Sequence, residues 1–113
     1  MMEAPMAELK VEATTCSCLQ LMFRQGDQVV GRAQLHWTDD TVVEVVDIEV
    51  VAAYRGRGLG RRILSYCLDI ARRQGARMVT AHTSPTNGPA YRLFISGGFR
   101  PVHEEEHMEL TLS

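Results

Sequence analysis

Three glycines and the arginines beside them form the part of the sequence best suited to binding an anion. Gly56, Gly58 and Gly60 stand at alternate positions after the β-branched, mostly apolar run 45–51. Apolar residues then recur at helical spacing from 59 to 71, which predicts a strand, a glycine-rich turn and an amphipathic helix. Such a turn points backbone N–H groups outward at the positive end of a helix dipole, where phosphate oxygens bind. A tight strand-to-helix turn without a ligand also explains the glycines.

The arginines are concentrated around this turn and its helix. We expect at least one of four to contact phosphate: Arg55, Arg57, Arg61 and Arg62. Three others fit a solvated helix face: Arg72, Arg73 and Arg77. The net charge of −2 and the pI of about 6.1 argue against nucleic acid as the main partner.

The spacing of the glycines separates this turn from two common phosphate-binding motifs. It is not G-x-G-x-x-G, and no Gly-Lys-Ser/Thr follows as in a P-loop. The segment Arg-Gly-Arg-Gly-Leu-Gly at 55–60 instead resembles the acetyl-CoA-binding motif R/Q-x-x-G-x-G/A of the GNAT superfamily of N-acetyltransferases. Ile48, Val50 and Tyr54 match the usual approach to that motif.

A second segment of the sequence strengthens the resemblance. It is similar to the family pattern N-x-x-A-x-x-L-Y-x-x-x-G-F, and the matching residues are Asn87, Ala90, Leu93, Phe94, Gly98 and Phe99. Two motifs in the right order and separation are more specific than either alone. The resemblance covers residues 28–113.

The resemblance implies how acetyl-CoA binds. The glycine turn cradles the pyrophosphate of coenzyme A, and the backbone at 48–50 binds the pantetheine arm. The backbone near Val50 polarises the thioester carbonyl, and Asn87 contacts the arm or caps a helix. The implied cofactor-binding residues are Ile48, Val50, Arg55, Gly56, Arg57, Gly58, Leu59, Gly60, Arg61, Asn87 and Phe94. No metal is expected.

Acetyl transfer to an amine requires a general base, and four residues are candidates. Asp47 and Glu49 share one strand face, and the family often places an acid near Asp47, sometimes acting through water. Either acid can instead point to solvent or pair with an arginine. Glu44 lies nearer the strand start. His82 ends a strand beside the expected cleft, and an imidazole in water has a pKa of ~6.5; a purely structural histidine is the alternative.

The general acid of the family is usually a tyrosine in the second motif. Phe94 occupies that position and cannot donate a proton. Tyr91 lies three residues earlier, near the same helix face, and is the candidate replacement. A thiolate also leaves without an acid, because a free thiol has a pKa of ~8.5.

The predicted elements form an α/β (α+β) domain with a mixed, mainly antiparallel sheet flanked by two helices. Strands are expected at 15–24, 28–38, 41–52, 77–83, 99–105 and 107–112, with helices at 59–74 and 89–96. Residues 1–10 are expected to be a loose lead-in or a partial strand. The two helices that follow the first strand in the family have no room here, so we expect an open groove or a homodimer that completes it.

The 113 residues, 45% of them hydrophobic, predict a single domain, 1–113. No metal-ligand spacing, membrane span or signal-peptide core is found, and Cys16, Cys18 and Cys67 suit a reducing cytoplasm. The sequence therefore predicts an N-acetyltransferase that acts on a primary amine of a small molecule, peptide or protein. A non-catalytic acetyl-CoA-binding module, or a subunit of a larger complex, is the alternative.

Overall fold

The computed structural model describes residues 9–15, 18–83, 87–102 and 104–112. These residues form seven strands, two α-helices and a short 3-10 turn. In chain order they are β1 (Leu9–Thr15), β2 (Leu19–Gln25), β3 (Gln28–Trp37), β4 (Val42–Val50), the turn Ala52–Tyr54, α1 (Leu59–Arg73), β5 (Met78–His82), α2 (Gly88–Ser96), β6 (Arg100–Val102) and β7 (Glu104–Thr111).

All seven strands belong to one sheet, in the order β1-β2-β3-β4-β5-β7-β6. Neighbouring strands are antiparallel except β4 and β5, which are parallel. Parallel neighbours need a crossover connection, and α1 provides it. The predicted mixed, mainly antiparallel sheet with two helices is confirmed.

Two details of the predicted strand order are wrong. The sequence analysis predicted no complete strand before residue 15, whereas β1 pairs along its whole length with β2. Its alternation of Leu9, Val11 and Ala13 with polar residues was hidden by the methionine-rich lead-in. The last hairpin turns earlier than predicted, because Val102 already pairs with Glu104. Only three residues separate β1 from β2, so the family's two helices are absent there.

The hydrophobic core lies between the sheet and the two helices. One cluster joins sheet residues such as Leu35 and Met108 to Ile63 of α1 and Phe94 of α2. The helix α1 lies very close to β3, because a Cβ on Gly31 would stand 2.5 Å from the Ile63 Cδ1. No helix in the described part of the chain is long and apolar enough to cross a lipid bilayer.

A β-bulge in β4 determines which side chains face away from the helices. Gln34 pairs with Asp47 and Leu35 pairs with Val45, so Val46 is an extra residue in β4. An extra residue reverses the alternation of a strand beyond it. As a result three carboxylates, those of Glu44, Asp47 and Glu49, lie on the same face of the sheet, opposite to the core.

Candidate functional site

A deep cleft opens where β4 and β5 separate. The two strands pair from Val42 and Met78 to Val45 and Ala81, after which β4 continues to Val50 without β5 beside it. A cavity of about 610 Å³ fills the gap. Its walls are β4, the glycine turn, the start of α1, the end of β5 and α2. The strand and the glycine turn thus border one continuous space.

The glycine turn adopts a conformation that leaves its backbone accessible. Gly56 and Gly58 have φ values of 78° and 80°, in the left-handed region that favours glycine. A Cβ on either residue would meet no heavy atom within 4 Å, so the space above the turn is open. Gly58 is the N-cap of α1 and has no side chain to bond the first N–H groups of the helix. The first residues of the helix, Leu59, Gly60 and Arg61, line the cavity, and unpaired N–H groups at a helix start can bind an anion.

Two of the four arginines near the turn line the cavity, and two do not. Arg55 lines the cavity, and its Nε donates a hydrogen bond of 2.9 Å to the Val50 carbonyl oxygen. Arg61 also lines the cavity. The guanidinium of Arg57 lies over the ring of Tyr54, 5.3 Å from its centroid. Neither Arg57 nor Arg62 is among the residues that line the cavity.

Most of the other residues expected at the cofactor also line this cavity, namely Ile48, Val50, Leu59, Gly60, Asn87 and Phe94. Asn87 is the N-cap of α2, but its side chain makes no capping hydrogen bond. Phe94 is buried and packs edge-to-face on Phe99, with ring centroids 5.1 Å apart. Phe94 therefore contributes an apolar wall.

The predicted acid, Tyr91, is not placed at the cavity. Pro89, Ala90 and Leu93 of the same helix line it, whereas Tyr91 is half-buried and packs against the hydrophobic core. The spacing argument put Tyr91 near Phe94 along the helix but did not fix the direction of its ring. The described structure gives this phenol no contact with the space where a thiolate would leave.

The candidate bases occupy different surroundings. Asp47 and Glu49 line the cavity, and a Glu49 oxygen lies 3.6 Å from the Arg32 guanidinium. His82 also lines the cavity, and its Nδ1 lies 3.4 Å from an oxygen of Glu44. Glu44 does not line the cavity and touches the site only through this histidine. The structure thus brings Asp47, Glu49 and His82 together.

A comparison with known protein families shows which family this chain belongs to. The model of the acetyltransferase (GNAT) family matches residues 2–99. The chain belongs to the GNAT acetyltransferase family. Its fold and its glycine turn are those expected from the two sequence motifs.

Curated relatives of this GNAT domain include named acetyltransferases. A mycothiol acetyltransferase of Corynebacterium glutamicum (strain R) is 35% identical over 82 residues, which cover 70% of this chain and 27% of that protein. The N-alpha-acetyltransferase RimI of Mycobacterium tuberculosis is 39% identical over 82 residues, covering 70% and 50%. The chain therefore spans about a quarter to a half of the length of these relatives.

Solved structures of other GNAT proteins share the fold. A GNAT family acetyltransferase from Elizabethkingia anophelis with acetyl-CoA bound has a TM-score of 0.81 at 13% identity, covering 93% of this chain and 99% of that one. The putative acetyltransferase yncA from Salmonella typhimurium, with acetyl-CoA, has a TM-score of 0.71 at 29% identity. The alignment covers 85% of this chain and 65% of yncA.

This GNAT domain also has two side chains near the site that the sequence analysis missed. His107 contacts His82, and Glu109 contacts His107, both from the neighbouring strand β7. Their spacing of two in the sequence indicates a shared strand face. Only the pairing of β5 with β7, which places His107 opposite His82, connects them to the site.

Proposed function

We propose that this domain is an N-acetyltransferase that moves the acetyl group of acetyl-CoA to a primary amine of a small molecule, a peptide or a protein. The observation that carries the proposal is the open glycine turn, whose N–H donors border the same cavity as the separated end of β4. One end of that cavity suits a pyrophosphate and the other suits an extended thioester arm. Membership of the GNAT family and relatives with this activity support it.

In this proposal the cofactor follows the walls of the cavity. The backbone N–H groups at the start of α1 bind the pyrophosphate, and Arg55 and Arg61 supply positive charge beside it. The apolar side chains of Ile48 and Val50 flank the pantetheine arm, and the side chain of Asn87 is available to hydrogen-bond it. Because Arg57 lies over Tyr54 and away from the cavity, its proposed role is to support the turn.

The reaction needs a neutral amine at the thioester carbon. The amine nitrogen attacks, a C–N bond forms and the C–S bond breaks. The thiolate of coenzyme A takes up one proton, and one further proton from the ammonium passes to a base and then to water. Asp47 and Glu49 attract the cationic acceptor, and His82 accepts the proton. With Tyr91 away from the cavity, we propose that the thiolate leaves without a side-chain acid.

A pair of glycine substitutions tests the cofactor site. Gly58→Asn keeps the left-handed backbone accessible, because asparagine tolerates it, but fills the open space above the turn. Gly26→Asn is the matched control: Gly26 has a φ of 62° and nothing within 4 Å of its Cβ position, and it lies in the β2–β3 turn away from the cavity.

The readout is the melting temperature with and without acetyl-CoA. A ligand at a hundredfold excess over its Kd stabilises the folded state by about 2.7 kcal/mol. The wild type and Gly26→Asn should both show the resulting rise, and Gly58→Asn should lose it. An equal rise in all three proteins would place acetyl-CoA elsewhere.

A non-catalytic acetyl-CoA-binding module is the second candidate function. The observation that favours it is the absence of a proton donor at Phe94, combined with the position of Tyr91. Release of free thiol from acetyl-CoA in the presence of a panel of amines separates the two. Binding without release by any amine would favour the module.

We also infer a homodimer in the cytoplasm. The helix-free face of the sheet carries a second groove of about 390 Å³, which shares Asp47 and Glu49 with the cofactor cavity. A second subunit over this groove would close the acceptor side that family members cover with helices. A monomer in light scattering at micromolar concentration would contradict it. The buried free thiol of Cys67 suits a reducing compartment.

A further inference from the structure

A line of four polar side chains crosses the helix-free face of the sheet, from β4 through β5 to β7. Glu44 lies 3.4 Å from His82 Nδ1. His82 Nε2 lies 3.1 Å from His107 Nδ1, and His107 Nε2 lies 3.2 Å from an oxygen of Glu109. No three His, Cys, Asp or Glu side chains among the described residues converge as metal ligands do. The line therefore suits proton chemistry.

The positions of the protons on the two histidines determine which nitrogen donates and which accepts in each hydrogen bond of the line. An ionised carboxylate only accepts hydrogen bonds, so Glu109 requires a proton on His107 Nε2. In a neutral imidazole the other nitrogen, His107 Nδ1, is then an acceptor. It accepts the proton that His82 carries on Nε2, and His82 Nδ1 is left with a lone pair. Each arrangement leaves one lone pair against a carboxylate: His82 Nδ1 against Glu44 at 3.4 Å in this one, and His107 Nε2 against Glu109 at 3.2 Å in the opposite one. The first contact is longer and its imidazole is 59% exposed to water, against 26% for His107, so the first arrangement costs less.

We propose that Glu109 and His107 are positioning residues that hold the proton of His82 on Nε2, so that Nδ1 is the basic atom. This inference rests on the proposed acetyltransferase function. His82 lines the cavity and has a side chain 59% exposed, whereas His107 and Glu109 are 26% and 29% exposed. The proton of the acceptor thus reaches the line at His82, its most exposed member.

The proton balance along the line is simple. The ammonium of the acceptor gives one proton to His82 Nδ1, and the amine keeps the electron pair that forms the C–N bond. His82 then gives this Nδ1 proton to water, which restores the neutral imidazole with its other proton still on Nε2. No oxidant, reductant or further reactant is needed.

The charges around the line favour a cation on it. Glu44 faces His82 from β4, and Glu109 faces His107 from within β7. Two basic residues lie opposite these acids in the strand register. His36 of β3 is opposite Glu44, and Arg100 of β6 is opposite Glu109. The cavity-lining Asp47 adds negative charge on the same face. The two ring nitrogens of His82 thus contact Glu44 on one side and His107 on the other.

The tautomer of His82 is measured directly by long-range proton–nitrogen NMR of the neutral imidazole in the whole domain. We expect His82 Nε2 to carry the proton and Nδ1 to be bare. In Glu109→Gln the amide can donate to His107 Nε2, which reverses the direction and puts the His82 proton on Nδ1. A wild-type His82 protonated on Nδ1, or no change in Glu109→Gln, would overturn the inference.

Steady-state kinetics test the effect of these positioning residues on turnover. Loss of an orienting partner costs about 10- to 100-fold in comparable sites, so Glu109→Gln and His107→Phe should lower kcat by that range and leave the KM for acetyl-CoA unchanged. Asp69→Asn is the control, since Asp69 pairs with Arg72 on α1, outside the line and outside both grooves.

The outcomes separate this inference from the proposed function. A wild type that binds acetyl-CoA without releasing thiol for any amine refutes the acetyltransferase, and with it the catalytic use of the line, whatever the tautomer. A wild type that turns over, with Glu109→Gln as active as Asp69→Asn across the pH range, refutes the line alone. If His107→Phe does not fold, Glu109→Gln decides the question by itself.

Discussion

Substituting Gly31 with alanine is a sharp test of how β3, β4 and α1 fit together. A Cβ at this position would lie 2.5 Å from the Ile63 Cδ1 and 2.9 Å from the Glu49 carbonyl oxygen. The first contact can relax, because Cδ1 is the end of a flexible side chain. The second cannot relax without moving the backbone of β4, which forms a wall of the cofactor cavity.

The expected cost follows from these two contacts. Overpacking a well-filled core costs about 1–3 kcal/mol. Replacing glycine reduces the entropy of the unfolded chain and returns about 0.4–1 kcal/mol. The free energy of unfolding should therefore fall by roughly 1–2 kcal/mol, which lowers the melting temperature by about 4–8 °C per kcal/mol in a domain of this size.

A double variant separates the two contacts in urea denaturation. Ile63→Val alone should cost about 0.5–1.5 kcal/mol by leaving a small cavity. In Gly31→Ala/Ile63→Val the Cδ1 contact is gone, so the double variant should be more stable than the sum of the single changes by about 0.5 kcal/mol or more. Additive effects, or a stabilising Gly31→Ala, would show that α1 does not rest on Gly31 as described.

Three further measurements follow from other parts of the structure. Burial raises the pKa of Cys67 from 9.0 to about 12, so unfolding should become easier as pH rises through that range, and Cys67→Ala should flatten this dependence. Hydrogen bonds from the Thr41 backbone and hydroxyl lower the pKa of Asp39 below 3.8, so the stability advantage of the wild type over Asp39→Ala should disappear as pH falls through that lowered value. Asp47→Asn should raise the KM for the amine with little change in kcat, whereas His82→Gln should lower kcat by ~10²-fold or more; the reverse pattern in steady-state kinetics would make Asp47 the base.

The strand, the glycine turn and the first helix could be predicted from the sequence because each is encoded locally. The apolar residues of α1 recur at helical spacing, and glycines stand at the two positions of the turn that adopt positive φ. The residues predicted to bind the cofactor belong to this unit and to the segment around α2. All of them except Arg57, which lies over Tyr54, line one cavity, and their role in binding stays a prediction.

The other half of the site depends on strand register, which the sequence does not encode locally. His107 meets His82 only because β7 inserts between β5 and β6. Glu44 joins Asp47 on one face only because Val46 is an extra residue opposite β3. The position of the Tyr91 ring depends on the space left by the core, and helical spacing alone does not give that.

The extra residue at Val46 determines which face of the sheet each later side chain of β4 occupies. Beyond it, the two acids of the strand face the acceptor side, and Ile48 and Val50 face the helices. Deleting Val46 would remove the bulge, and Glu44, Asp47 and Glu49 would stay on one face of a regular strand. Pairing the same nine residues without the bulge would instead turn Asp47 and Glu49 toward the apolar core and the two aliphatic side chains toward water. The bulge therefore determines the faces of β4 as much as its residue types do. Alignments and designs based on this fold should either keep this bulge or remove its one extra residue before they change the residue types of β4.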